Sequence, residues 1–272
     1  MTEFTIESSK GRVVVDSYGA YIRTLRLLGT EVLMKSGDNS QTHGGCATLI
    51  PFANRVRSAS YKWRGRNYRL PKNSGENSIH GFTKEMTWEV KQENGSLVLS
   101  TTIDREDYPT RLECQSTISL TDNSLSIKIE IFNTGDYATP LSIGLHPYFI
   151  HDGRWRIKRP SSLKMLNYVD SYFPDGTMTN IDSKKLSSKG KTEFDNCFYV
   201  GPNLILETAT HEVSIRTENM DYFVIYNGDY SNGDSVAIEP MTSAPDAFNN
   251  RIGLVTLRPN SKFYCSAIFS SC

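Results

Sequence analysis

The sequence predicts an all-β protein, a large antiparallel β-sandwich with few or no long helices. Three observations carry that expectation. Period-two alternation of apolar and polar residues recurs along the chain, and no stretch of a dozen residues keeps a 3.6-residue period. The β-rich runs are also short, fairly evenly spaced and separated by Gly, Asn and Asp.

Taken in chain order, residues 61–68 read as a hairpin turning at Gly65. Residues 88–92 and 97–103 flank Glu93-Asn94-Gly95, a second hairpin. Residues 114–120 alternate and meet residues 125–132 across the turn signal Thr121-Asp122-Asn123. In the latter run Leu125, Ile127, Ile129 and Ile131 share one face, while Ser126, Lys128 and Glu130 share the other, as in a half-buried strand. Further strands are expected over 213–217, 222–227, 235–239 and 262–269, which are rich in Val, Ile, Tyr and Phe. Residues 170–191, rich in Ser, Lys, Asp and Gly, read as the most loop-like stretch. No fixed-period repeat or linker divides the chain, so residues 1–272 are expected to form a single domain.

Composition narrows the function. The chain has 272 residues, 38% of them hydrophobic, enough for a sizeable core. Its 30 Lys+Arg balance 30 Asp+Glu, which argues against a general nucleic-acid binder because such affinity comes from excess cations. The basic run Arg55, Arg57, Lys62, Arg64, Arg66 and Arg69 is interleaved with aromatics, but a solvated hairpin face accounts for it, with a phosphate dock as the alternative. The first ten residues carry Glu3 and Glu7 without an apolar signal-peptide core, and no apolar run is long enough to span a bilayer. Five scattered cysteines without a C-x-x-C pair suit free thiols in a reducing compartment, so a cytoplasmic location is expected. No nucleotide-binding or zinc motif is present, and no cofactor or metal is expected. His43-Gly44-Gly45-Cys46 has no partner at metal-ligand spacing and reads as a loop.

Five places hold residues with chemistry to offer. Asn54-Arg55 follows an apolar run, where the guanidinium either forks to hydroxyls or is simply solvated. His80 precedes Gly81, which permits a sharp bend or close approach to a ligand, and is either a site residue or a satisfied structural histidine, the more common case for a lone His. His146 stands before Pro147, which stiffens it towards an extended conformation; with Tyr148 and Phe149 beside it, the segment is either a stacking surface for a sugar face or a buried aromatic cluster around a hydrogen-bonded imidazole. Asp195 lies between aromatics, either as a hydroxyl acceptor or as a turn residue bonding its own backbone. Glu239 closes an apolar strand before Pro240, a residue expected to stop ladder pairing, and is either a base at a cavity lip or an edge-strand carboxylate in solvent.

In this order the five places resemble the aldose 1-epimerase (galactose mutarotase) family, in its shorter bacterial-type branch. The resemblance rests on Asn54-Arg55, His80-Gly81, His146-Pro147-Tyr148-Phe149, Asp195 and Glu239-Pro240 with the following Pro245-Asp246-Ala247-Phe248-Asn249. Phe82 and Ile150 depart from residues common in the family, Gly and Asn respectively. The resemblance implies a β-sandwich with an open cleft for a free sugar and interconversion of its α and β anomers. It also implies Glu239 as general base on the anomeric hydroxyl and His146 as general acid on the ring oxygen. His80, Arg55, Asp195, Asn54 and Tyr148 are then the sugar-binding residues. The sequence leaves open the sugar, its phosphorylation and the oligomeric state. A hexose-phosphate mutarotase, a glycoside hydrolase using Asp195 and Glu239, and a non-catalytic carbohydrate-binding module are the competing readings.

Overall fold

A computed structural model describes residues 2–189 and 193–271. Two antiparallel sheets dominate it. The larger, of eleven strands, includes in spatial order Tyr21–Leu27, Cys46–Leu49, Gly144–Ile150, Ser235–Met241, Tyr222–Tyr226, Asp195–Tyr199, Ser162–Tyr168 and Pro174–Asp182. The smaller, of eight strands, runs from Glu89–Glu93 through Ser96–Ile103, Leu112–Leu120, Ser124–Asn133, Lys262–Ser271, Glu212–Glu218 and Asn203–Thr208 to Trp155–Arg159. The α-helix among the described residues is four residues long, Ala247–Asn250, and no helix is long and apolar enough to cross a membrane.

The strands form where alternation predicts them. In Ser124–Asn133 the side chains of Leu125, Ile127, Ile129 and Ile131 are buried, and Lys128 on the opposite face is exposed. Ile127 and Ile129 pair with Ala267 and Cys265 of the neighbouring strand, so the apolar faces of adjacent strands coincide. Replacing such an isoleucine by alanine costs about 2–5 kcal/mol, which fixes the register strongly. The 121–123 turn, the 93–95 turn and the Ser60–Trp63/Arg66–Arg69 hairpin all occur where the sequence places them.

Two local expectations are corrected. Residues 170–191 are not mainly loop, because Pro174–Asp182 forms an edge strand on Ser162–Tyr168. Its side chains are mostly exposed, so the apolar alternation that marks a strand is missing; Gly190 and Lys191 lie outside the described residues. Pro240 does not end its strand, which continues to Met241 with Pro240 opposite Phe223.

The inter-sheet core draws on both sheets, as where the Phe149 ring of the larger sheet meets Phe269 of the smaller at 5.3 Å between centroids. Alternation therefore turns Gly144, His146 and Tyr148 to the other, outer face of the large sheet. On that outer face a second apolar cluster gathers Tyr21, Ala47, Leu49, Cys197, Val224 and Met241. The candidate site is built into this second cluster.

Candidate active site

Strand register alone assembles the floor. Ladder pairs join Cys197 to Val224 and Val224 to Glu239, and His146 to Ala47. Between the pairs Gly144–Met241 and Tyr148–Ala237 the count places His146 opposite Glu239. Pro147 and Pro240 sit within this gap, and neither has an N–H to give the ladder. The neighbouring row runs Asp195, Tyr226, Ala237, Tyr148. Ala237 is small, so the floor is left open between the two tyrosines.

A short strand pair supplies one wall. Arg55 pairs with Ile79, and the His80 amide donates to the Asn54 carbonyl at 3.0 Å. Both Asn54 (φ +56°) and His80 (φ +65°) adopt the left-handed conformation, which non-glycine residues enter at a cost and which concentrates at functional sites. Gly81 (φ +65°) completes the bend: a Cβ there would lie 2.2 Å from the Ile50 carbonyl oxygen. The Asn54 side chain caps the turn by accepting from the Arg55 amide at 2.8 Å.

All seven sequence-predicted residues, Glu239, His146, His80, Arg55, Asp195, Asn54 and Tyr148, line one cavity of about 440 Å³. That lies within the range of ~300–1,000 Å³ typical of small-molecule pockets. Glu239 is 2% exposed and His146 5%, which excludes a solvated edge-strand carboxylate. His146 Nε2 lies 3.4 Å from Glu239 Oε1. The His80 and His146 rings meet edge to face at 5.1 Å, and Tyr148 stacks on His146 at 5.0 Å. Arg55 Nη1 is 3.8 Å from Asp195 Oδ2, and its guanidinium lies 3.9 Å over the Tyr172 ring. Four buried polar atoms of these residues, Arg55 Nε, His80 Nδ1, His146 Nδ1 and Glu239 Oε2, have no hydrogen-bond partner within the protein. Buried polar groups are nearly always satisfied, so these atoms mark where a polar ligand belongs.

Burial in this apolar surround opposes charge. It raises the Glu239 carboxyl well above its ordinary value, with the nearby Asp195 adding to the rise and Arg55 opposing it. It lowers His146 to about 3, and pushes His80 well down with His146 and Arg55 contributing. Asp195 is raised by burial against the pull of Arg55.

Several sequence readings are refined by the geometry. Phe149 is fully buried in the inter-sheet core and offers nothing to a ligand; Tyr148, one residue earlier, faces the cavity. Asp195 opens a strand and faces Arg55, where a backbone-bonded turn was the alternative. The Pro245–Asn249 segment stays behind the wall: Asp246 accepts from the Arg57 amide at 2.9 Å and its own amide donates to the Arg55 carbonyl. The hairpin carrying Lys62, Arg64 and Arg66 does not line the cavity. Residues that sequence reasoning missed are His43, Tyr172, Tyr226 and Tyr230. For the tyrosines no local signal exists, because alternation in a β protein makes each look like an ordinary strand or loop aromatic.

The site is thus an outer-face cleft on a large antiparallel sandwich, floored by a buried imidazole–carboxylate pair and walled by tyrosines and an arginine. Residues 2–269 match the aldose 1-epimerase family model, and the chain belongs to that family. Among curated proteins it is similar to two uncharacterised proteins of Escherichia coli K12. YphB is 29% identical over 279 residues, covering 95% of each chain, and YihR is 27% identical over 241 residues, covering 79% of this chain and 76% of the other. A galactose mutarotase-like protein of Clostridium acetobutylicum shares the fold with a TM-score of 0.84, at 18% identity and with 98% and 94% of the two chains covered.

Proposed function

We propose that the protein is an aldose 1-epimerase that interconverts the α and β anomers of a free, uncharged aldose. The observation that carries this reading is the buried His146–Glu239 contact at 3.4 Å on the floor of a cavity lined by hydroxyl-binding side chains.

Anomer exchange removes a proton from O1 and delivers one to the ring oxygen O5. The C1–O5 bond breaks, the aldehyde rotates, and the ring closes on its other face. In this reading Glu239 accepts the O1 proton while His146, as imidazolium, donates to O5. Before ring opening the pair is carboxylate and imidazolium; afterwards it is carboxylic acid and neutral imidazole. Burial favours that second, uncharged state, as the raised Glu239 and lowered His146 show. The dry floor thus offsets part of the cost of opening the ring, and bonds from the bound sugar stabilise the charged pair needed to start. Ring closure runs both transfers backwards, so each residue serves as acid and base in turn.

His80 holds the region of the ring oxygen, while Arg55, Asp195 and Asn54 bind hydroxyls, and Tyr148 gives the apolar face of the ring a surface. These transfers need no Lewis acid, and the described residues include no group of three or more His, Cys, Asp and Glu side chains placed to hold a metal ion. A carbohydrate-binding module would gain nothing from burying a carboxyl against an imidazole, a placement that disfavours charge.

Measuring α/β exchange by NMR across a panel of free aldoses tests the reading. Exchange well above the buffer rate for at least one sugar supports it. Binding without exchange would leave the protein a carbohydrate binder, and release of a glycosidic leaving group would make it a hydrolase.

A further inference from the structure

The motif His43-Gly44-Gly45-Cys46 takes no part in the mechanism above, yet its geometry is tightly constrained. Gly44 (φ +146°) has room for no side chain, since a Cβ would lie 2.5 Å from the Ser36 amide nitrogen. Gly45 (φ +59°) is equally confined, with the Ile22 carbonyl oxygen 2.4 Å from a Cβ. The Tyr148 amide donates to the Gly45 carbonyl at 2.9 Å, and the Tyr148 hydroxyl donates to the Thr42 carbonyl at 2.8 Å. The Tyr21 hydroxyl closes the set on the Gly44 carbonyl at 3.0 Å. The loop is therefore bolted to the strand that carries His146.

This fixes His43 on the cavity lining. Its ring stacks on Tyr230 with centroids 3.6 Å apart and planes within 8°. Its Nδ1 lies 2.7 Å from Asp38 Oδ2, and Asp38, held down to about 2 by this bond and the Ser40 amide, stays ionised and can only accept. Nδ1 therefore carries the proton, and Nε2 is the polar ring atom left for a ligand. Gly228 permits the turn that returns Tyr230 to this position, since a Cβ there would meet the Tyr226 ring at 2.8 Å.

The rings form an unbroken succession. His146 to Tyr148 is 5.0 Å, Tyr148 to Tyr226 is 6.4 Å, Tyr226 to Tyr230 is 6.5 Å and Tyr230 to His43 is 3.6 Å. One end holds the proton-transfer pair, and the other ends in an imidazole whose tautomer is set from behind.

We propose that His43 is a specificity-determining sugar-binding residue, hydrogen-bonding through Nε2 a substrate hydroxyl other than the anomeric one. Asp38 and Tyr230 are its positioning residues. The proposal rests on the epimerase reading for its substrate class, an uncharged aldose lying along the aromatic wall.

The experiment combines His43→Ala and His43→Gln with the best aldose of the NMR panel and its monodeoxy analogues. For the intact sugar, His43→Ala is expected to raise KM by about tenfold while kcat changes by less than about twofold. One monodeoxy sugar should show the same loss with the parent enzyme and no further loss with His43→Ala. His43→Gln, which keeps a polar group, should recover part of the KM. Asp38→Asn should reproduce the pattern more weakly, and it carries the test if the alanine variant fails to fold. An unchanged KM, or losses that simply add for every deoxy sugar, would overturn the role of His43. Should the parent enzyme exchange no aldose at all, the epimerase reading fails instead. Sugar-induced shifts of the His43 imidazole NMR signals then decide the binding role, their absence counting against it.

Discussion

His146 and Glu239 face each other across two adjacent strands at the gap where Pro147 and Pro240 deprive the ladder of donors, and their side chains meet at 3.4 Å. Each is held by a strand of the large sheet. Apolar neighbours in the same row, Ala47, Val224 and Cys197, keep water away and set the protonation of the pair.

Glu239→Gln preserves shape but cannot accept a proton. Anomer exchange should fall by about 10²–10⁴-fold while sugar binding survives. His146→Asn should slow exchange at least as strongly as His80→Asn. Loss confined to the His80 variant would mean that the two imidazoles have exchanged roles.

The pH dependence follows from the opposite shifts of the pair. The acid limb of kcat/KM should therefore lie well below 6.5, the ordinary histidine value, as His146 gains a proton towards about 3, and the alkaline limb should follow the raised Glu239 carboxyl. Stability obeys the same shifts. His146 titrates lower in the folded protein than unfolded, so its contribution is present above 6.5 and is lost as pH falls towards about 3. Glu239 titrates higher when folded, so its contribution is present below 4.5 and is lost as pH rises through its raised folded value. Thermal melts from acid to alkali should show His146→Asn flattening the acid side and Glu239→Gln the alkaline side. Unaltered profiles in both variants would contradict the shifts.

Gly81→Ala forces a side chain into a left-handed bend and against the Ile50 carbonyl. The backbone strain alone costs about 1–3 kcal/mol, and His80 should lose its place in the wall. Urea unfolding should show the destabilisation, and exchange should fall with it. A variant as stable and as active as the parent would show that the bend can relax.

Arg55 is the one Lys or Arg among the described residues lining the cavity, which is too little cationic charge for tight phosphate recognition. Neutral hexoses should exchange at rates insensitive to salt. Arg64→Ala and Arg66→Ala, on the hairpin outside the cavity, should leave those rates unchanged. A marked preference for glucose 6-phosphate that fades with salt would reverse this assignment.

Much of this protein is written in short-range pattern. Alternation at Leu125, Ile127, Ile129 and Ile131 determined a half-buried strand, because only one face of a pleated strand can be buried at a time. The turns at 93–95 and 121–123 followed from Asn and Gly chemistry, and the order of Asn54-Arg55, His80, His146, Asp195 and Glu239 pointed to the family. Other features were decided only in three dimensions. The edge strand Pro174–Asp182 has almost no buried face, so nothing apolar advertised it, and its pairing came from the neighbour it meets. That Tyr148 rather than Phe149 reaches the cavity depended on which face of the strand meets the second sheet, a choice that a one-residue shift would invert. His43, Tyr226 and Tyr230 joined the site through register and ring stacking between segments up to 187 residues apart in the chain, Tyr230 to His43. Pairings at such separations follow from the folding of the whole sheet, for which local sequence carries no mark.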